Sequence, residues 1–435
     1  MSRVRLRVVV RNQKSFRGDS LEELLPSDHP VRDVWALVGS WDLSAFLAGV
    51  KSVPGKAGAP AFDPRVLLTL WIQAILDGYS SARELADLCE HHIVYRWICG
   101  DEAVNYHTLA DFRSSHEKAV DELLTQVVAA AFAAGIASPV RVAQDGMKVR
   151  ANAGTYRRKP TLDEHLAKAK AQVAALKERP DDGDGGAAVS LRAKAARDRA
   201  VTERLGRLQQ AQAELVKLTA ANAKRAADSR TRAAAVDPAK LRVSETDPEA
   251  RKMRMADNGI RSAFNVQFAT TTEGGIIVGV AVTNAATDHG RMGEMMEQVE
   301  RRTGVRPKEL LVDNGYAVRE DITALEKKQT AVYAPVKDAA KAQAVGRDPY
   351  AARRGDTPEV TAWRTRMGTD EGKAIYRLRG QTAEWANAQS RNRGFQQFRL
   401  RGLVKATLEA TWYALSHNLS RIAAHRRTAP AAGPP

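Results

Sequence analysis

From Phe264 to Ala334 the chain alternates apolar runs of strand length with stretches of helical spacing, and this alternation limits its fold more than any other feature. Phe264 to Thr270 and Ile276 to Val282 are strand-like and joined across Glu273-Gly-Gly275, a hairpin signal. Residues 291 to 302 have helical spacing, and Glu309-Leu-Leu-Val-Asp313 is an apolar strand that ends in an acid. Glu320 to Lys328 reads as a helix and Ala331-Val-Tyr-Ala334 as another strand. Upstream, Val140 to Ala143 is a short apolar run ending at Gln144-Asp145. Strand, hairpin, helix, strand, helix, strand predicts a mixed α/β sheet.

One tract interrupts this order. Thr161-Leu-Asp-Glu164 is a capping box behind Pro160, and Leu162, Leu166, Ala169, Val173 and Leu176 follow at alternating steps of four and three. Pro180 to Gly186, rich in Asp and Gly, breaks the pattern, and a second seam runs through Val201, Leu205, Leu208, Gln212 and Leu215. The two seams predict an inserted helical hairpin (a coiled coil) over residues 161–250 with its linker, standing off the main body. Residues 60–120 read as short helices. Pro64 starts one, Gly78 ends it, and Ser81 with Glu84 opens the next. Such a pair suits a helix-turn-helix-like module or a plain helical bundle. The expected organisation is a helical N-terminal domain at 1–135, the first strand at 136–160, the insertion, the rest of the sheet domain at 251–427 and a disordered tail at 428–435.

Lys and Arg number 67 against 51 Asp and Glu, a net charge of +16 over 435 residues with a pI near 9.9. A chain this basic meets polyanions, nucleic acid first. The longest uncharged run, Leu123 to Val140, contains Gln126, Gly135 and Pro139 and reads as a buried Ala-rich helix, not a membrane span. The basic start at Met1 precedes an apolar stretch too short for a signal peptide. Two cysteines, Cys89 and Cys99, support neither a disulfide framework nor a four-ligand zinc site, so a reducing cytoplasmic setting is expected.

Asp145 and Asp313 close predicted strands, where sites gather in α/β sheets, and a carboxylate pair can hold a divalent metal. A third acid completes such a set. Glu384 suits the role, because it sits inside a run, Tyr376 to Arg427, with ten Lys/Arg and only two acids. Asp288, in Asp288-His289-Gly290, is a reserve ligand. No Walker-type glycines, dinucleotide fingerprint or nucleophilic Ser or Cys motif is present.

These residues resemble the motifs of bacterial insertion-sequence DDE transposases. Asp145-Gly-Met-Lys148-Val-Arg-Ala-Asn152 is similar to the first-Asp motif and Leu311-Val-Asp313-Asn-Gly-Tyr316 to the second. Tyr376, Arg379, Glu384 and Arg391 fall at the spacing of the Tyr-Arg-Glu-Lys signature, with Arg in place of the commoner Lys. His417-Asn418-Leu419 matches the downstream pattern, and Phe62 to Arg113 resembles the helical N-terminal domain of the same elements. The branch most resembled is IS-eleven-eighty-two, within the IS-five-like superfamily. The resemblance implies an RNase H-like catalytic domain that binds terminal inverted repeats and performs cut-and-paste transposition. It implies a catalytic and metal-binding triad of Asp145, Asp313 and Glu384 with two Mg²⁺ ions (Mn²⁺ as substitute), and DNA contacts by Lys148, Tyr376, Arg379, Arg391 and Arg393. It further implies a homodimer or higher multimer on double-stranded DNA, at the nucleoid. The competing readings are an RNase H-like nuclease that does not transpose and a DNA-binding derivative without catalysis.

Overall fold

The computed structural model describes residues 18–48, 50, 52, 60–177, 188–227 and 236–428. The basic start at Met1, the Pro180 to Gly186 turn and, beyond Thr428, the expected tail lie outside the described residues. The main sheet contains β1 (Arg141–Arg150), β4 (Arg251–Arg254), β5 (Ile260–Thr271), β6 (Ile277–Thr283), β7 (Glu309–Leu311) and β8 (Ala331–Tyr333). A separate small ladder joins β2 (Tyr156–Arg157) to β3 (Val243–Ser244). β5 is central to the antiparallel half: β1 covers one of its edges, while β4 and β6 follow one another along the other. β1, β7 and β8 are parallel. The result is a mixed sheet with helices packed around it. The β5–β6 hairpin turns through Gly274 and Gly275, both at positive φ, and the backbone carbonyl of Ile136 lies where a Cβ on Gly274 would stand.

One strand departs from its expected extent. The apolar run was expected to end at Gln144-Asp145, but β1 continues to Arg150, so Asp145 lies in mid-strand. Met147 and Val149 are buried while Gly146, Lys148 and Arg150 face the other way, which is strand alternation carried past an apparent Asp-Gly turn. Gly146 is there for close packing: a Cβ would come within 2.5 Å of Gln267 Nε2 and 2.7 Å of Asp288 Oδ1.

Helices Pro64–Leu76, Ala82–His91, Ile93–Cys99, Tyr106–Ser115 and Glu117–Ala133 form the N-terminal bundle. Asp63 and Ser81 cap the first two by accepting backbone N–H bonds, and Leu123 to Ala133 is a helical segment that buries Leu123, Leu124, Val127, Val128 and Ala131 and exposes Ala129 and Ala133. No helix among the described residues is long and apolar enough to cross a membrane. Helices Lys159–Lys177 and Ala188–Ala227 carry the interrupting tract. Leu162, Leu166 and Ala169 pack against Leu208, Ala211 and Leu215 in a core of their own, capped by Val243 of β3.

The last helix, Leu403–Thr428, ties the two halves together. It is buried from Leu408 to Leu419, and one hydrophobic cluster runs from Leu25 in the bundle through the sheet to Ala423. Trp412 Nε1 donates to Arg113 O at 3.2 Å. Asn418 both accepts from Ile277 N and donates to Ile277 O, each at 2.8 Å, so one side chain satisfies the backbone of β6 where its ladder ends. His417 Nε2 donates to Gly275 O at 2.9 Å.

Asn418→Ala leaves a buried N–H and a buried C=O without partners, and should lower unfolding stability by roughly 2–4 kcal/mol. Val404→Ala, at an exposed position of the same helix, should change it by less than about 0.5 kcal/mol. Urea midpoints measure both, and equal effects would remove Asn418 from this role. Burial, with Arg393 and Arg421 nearby, pushes the His417 imidazole down from 6.5 to about 4. Its neutral form is the one that folds, so this contribution is complete above pH 6.5 and is lost as pH falls through about 4. A pH series should show His417→Gln losing less stability than the parent across that window.

Candidate active site

β1 is paired along its whole length with β5, but its other edge is paired only at the two ends. β7 covers Arg141–Ala143, and at the far end Arg150 N donates to Gln396 O at 3.1 Å while Phe398 N donates to Arg150 O at 2.8 Å. Between Ala143 and Arg150 no strand partner lies on that edge among the described residues. Asp145 sits in this gap. The parallel register that pairs Ala143 with Leu311 carries Asp313, two residues on, to the level of Asp145. Asp313 is among the groups that raise the Asp145 pKa.

Asp145 is mostly buried. Desolvation pushes its carboxyl above the ordinary range, opposed by Arg379 and by a hydrogen bond from Asn387. Arg379 Nη2 donates to Asp145 Oδ1 at 2.9 Å and Asn387 Nδ2 donates to Oδ2 at 2.9 Å. Arg379 Nη1 also donates to Glu384 Oε1 at 2.7 Å, so one guanidinium spans two of the three acids. Residues five apart on a regular α-helix point about 140° away from each other. They meet here because Gly380–Glu384 forms a π-helical turn between Asp370–Arg379 and Trp385–Asn392. Asp313 is held by its own turn, with Gly315 N donating to Oδ1 at 2.7 Å.

Asp288 stands beside these acids. Its Oδ1 accepts from Asn265 Nδ2 and Gln267 Nε2, both at 2.7 Å, and a Cβ on Gly315 would lie 2.9 Å from Asp313 Oδ1 and 3.7 Å from Asp288 Oδ2. Tyr316 donates to Gln267 Oε1, and burial together with the charges of Asp288, Asp145 and Asp313 raises its pKa. Asn387, Asn265 and Gln267 were not singled out in the sequence, and Tyr316 entered only as the end of the second-Asp motif. A signal was present: Asn265 and Gln267 are buried amides two residues apart in an otherwise apolar strand.

The other candidate residues divide. Lys148 and Arg391 line one groove beside Gly146. Tyr376 is half-buried, hydrogen-bonded to Arg379 and packed at the core margin. Arg379 is buried among the acids. Arg393 turns to the last helix, where its Nη2 donates to Ser420 Oγ at 3.0 Å, and His289 is exposed. Glu384 pairs with Arg379, five residues before it, and not with Arg391.

Carboxylate oxygens are hard donors that fit a divalent cation such as Mg²⁺, and Asn387 Oδ1 is a buried oxygen without a hydrogen-bond partner beside Asp145. No three His, Cys, Asp or Glu side chains among the described residues are grouped closely enough to hold an ion, and Arg379 stands between Asp145 and Glu384. The donor chemistry fits; using all three acids together requires Arg379 to move.

Removing the guanidinium leaves a buried carboxylate without its counter-charge. Arg379→Gln should therefore destabilise the fold at pH 7 by roughly 3–5 kcal/mol. Adding Asp145→Asn should restore roughly 1–3 kcal/mol of it. A double-mutant cycle by chemical denaturation measures the coupling, and additive effects would refute it.

No curated protein and no solved structure matches the chain significantly. Two family models do match. Residues 19–115 match a transposase domain (DUF772), which covers most of the helical bundle. Residues 228–419 match the transposase DDE domain, which spans β3 to β8, Asp313, Glu384 and most of the last helix. Two transposase domains in this order, over most of the chain, indicate an insertion-sequence transposase.

Proposed function

We propose that the chain, a member of the IS-five-like superfamily in the branch written IS-eleven-eighty-two, binds the terminal inverted repeats of its element and carries out cleavage and strand transfer. The observation that carries this is the bridge that Arg379 makes between Asp145 and Glu384 beside the gap in the β1 edge, with Asp313 following β7 to the level of Asp145. The strand order β6-β5-β1-β7-β8, antiparallel up to β1 and parallel after it, supports an RNase H-like catalytic domain.

Asp145 and Asp313 would hold divalent ions, Mg²⁺ with Mn²⁺ as substitute, and Glu384 would join them once released from Arg379. Such ions supply activation of the attacking hydroxyl and relief of charge on the leaving oxygen in an in-line displacement. Asn387 and the Gly315 N–H keep the two aspartates aimed, by bonds of 2.9 Å and 2.7 Å. Asp288, fixed by two amides, is the reserve ligand. A released Arg379 can face a phosphate, where its fork donates to two oxygens. Lys148 and Arg391 contact phosphates, with Tyr376 supporting Arg379 and Arg393 acting from the side of the last helix. The active unit is a homodimer or higher multimer on DNA, in the bacterial cytoplasm at the nucleoid. The bundle up to residue 135 supplies the end-binding domain, 136–160 and 251–427 the catalytic domain, and 161–250 the insertion.

Asp145→Asn, Asp313→Asn and Glu384→Gln should each abolish cleavage of labelled end DNA in Mg²⁺ while binding changes by less than about tenfold. Wild-type cleavage by any one of them removes that residue from the triad. Cleavage by the parent chain with metal chelated would defeat the metal-dependent reading.

A further inference from the structure

A groove of about 720 Å³ runs from Gly146 and Asp288, next to the triad, to the Met255–Asn258 turn of the β4–β5 hairpin. Lys148 and Arg150 project into it from the same pleat of β1 as Gly146, opposite that of Asp145. Arg254 enters from the end of β4 and Arg391 from the helix after Glu384. A fifth cation, Arg261, is paired with Asp257 at 2.7 Å, and Asp288 is already bonded to two amides. The four others have no ion pair and no side-chain hydrogen bond among the described residues. Elsewhere arginines find acids, as in Arg96–Asp101, Arg364–Asp356 and Arg366–Glu326. Unpaired cations gathered in one concave groove repel one another, and the walls focus their field outward. Such a groove suits a chain of anions at regular spacing.

We propose that this groove is a subsite for the sugar-phosphate backbone of the DNA strand flanking the cleavage point, held by Lys148, Arg150, Arg254 and Arg391. The proposal rests on the transposase reading and adds to it the β4–β5 hairpin as one wall of the strand's path. The groove meets the site at the unpaired β1 edge, so a strand lying in it reaches Asp145 round that edge. Contacts of this kind set register without reading bases, so the subsite is indifferent to sequence.

The test is a salt titration of binding, with terminal-repeat DNA and unrelated DNA as probes. The double variant Arg150→Gln/Arg254→Gln should flatten the log–log salt slope by about 1.4–1.8, for two lost contacts at about 0.7 each on single strands or 0.9 on duplex. The flattening should be equal on both probes, and the urea midpoint unchanged, since both side chains are exposed and unpartnered. The charge-matched control Arg347→Gln/Arg354→Gln alters exposed cations outside the groove and outside the bundle and should keep the parent slope. A parent that binds and cleaves ends while the groove variant keeps its slope overturns the subsite and leaves the transposase reading standing. Equal flattening by the control overturns it too, because diffuse charge would then explain binding. A parent that neither binds DNA nor cleaves it removes the reading on which the subsite rests.

Discussion

β1 has backbone partners along one whole edge, through β5, and on the other only where β7 and the Gln396–Phe398 segment reach it. Both constraints come from the chain's own geometry. β7 is a three-residue strand and stops at Leu311, so the chain turns away through Asp313 before it can cover the middle of β1. Gln396–Phe398 arrives from the helix that carries Glu384 and closes the far end. A stretch of strand is thereby held rigid from behind and open in front, with Asp145 in its centre. A carboxylate on such a frame is held in place better than one on a loop would be.

The same arrangement carries an electrostatic cost. Asp145 is largely out of water, and its charge is tolerable because Arg379 and Asn387 both donate to it. A guanidinium satisfies two acids at once through its planar fork, which an ammonium could not reproduce. The π-helical turn widens the helix so that Arg379 and Glu384 converge instead of diverging. Folding therefore assembles Asp145 and Glu384 around an internal cation.

The last helix makes this site inseparable from the N-terminal bundle. Its buried face packs on the sheet through His417 and Asn418 and on the bundle through Trp412. The interrupting helices keep a core of their own around Leu162 and Leu208, and Glu214 on the second of them pairs with Arg251 of β4.

The strand and helix succession, the Gly274-Gly275 hairpin and the apolar seams of the inserted helices were legible in the sequence, because each rests on short-range periodicity and turn chemistry. Local motifs singled out Asp145, Asp313 and Glu384, and the fold pairs two of them, Asp145 and Glu384, with one arginine. What was not legible depends on contacts between distant segments. Asp145-Gly146 looks like a turn until Gln267 and Asp288 close over the glycine and hold β1 extended to Arg150. Arg379 looks like a phosphate anchor until burial pairs it with Asp145, 234 residues away. Arg393 looks the same, yet it meets Ser420 on the last helix. Arg150 and Arg254 carry no motif, and only the β4–β5 pairing brings them to one groove with Lys148 and Arg391. Periodicity is a property of neighbours in the chain; which charge is buried, paired or left free is decided by the surfaces that folding brings against it.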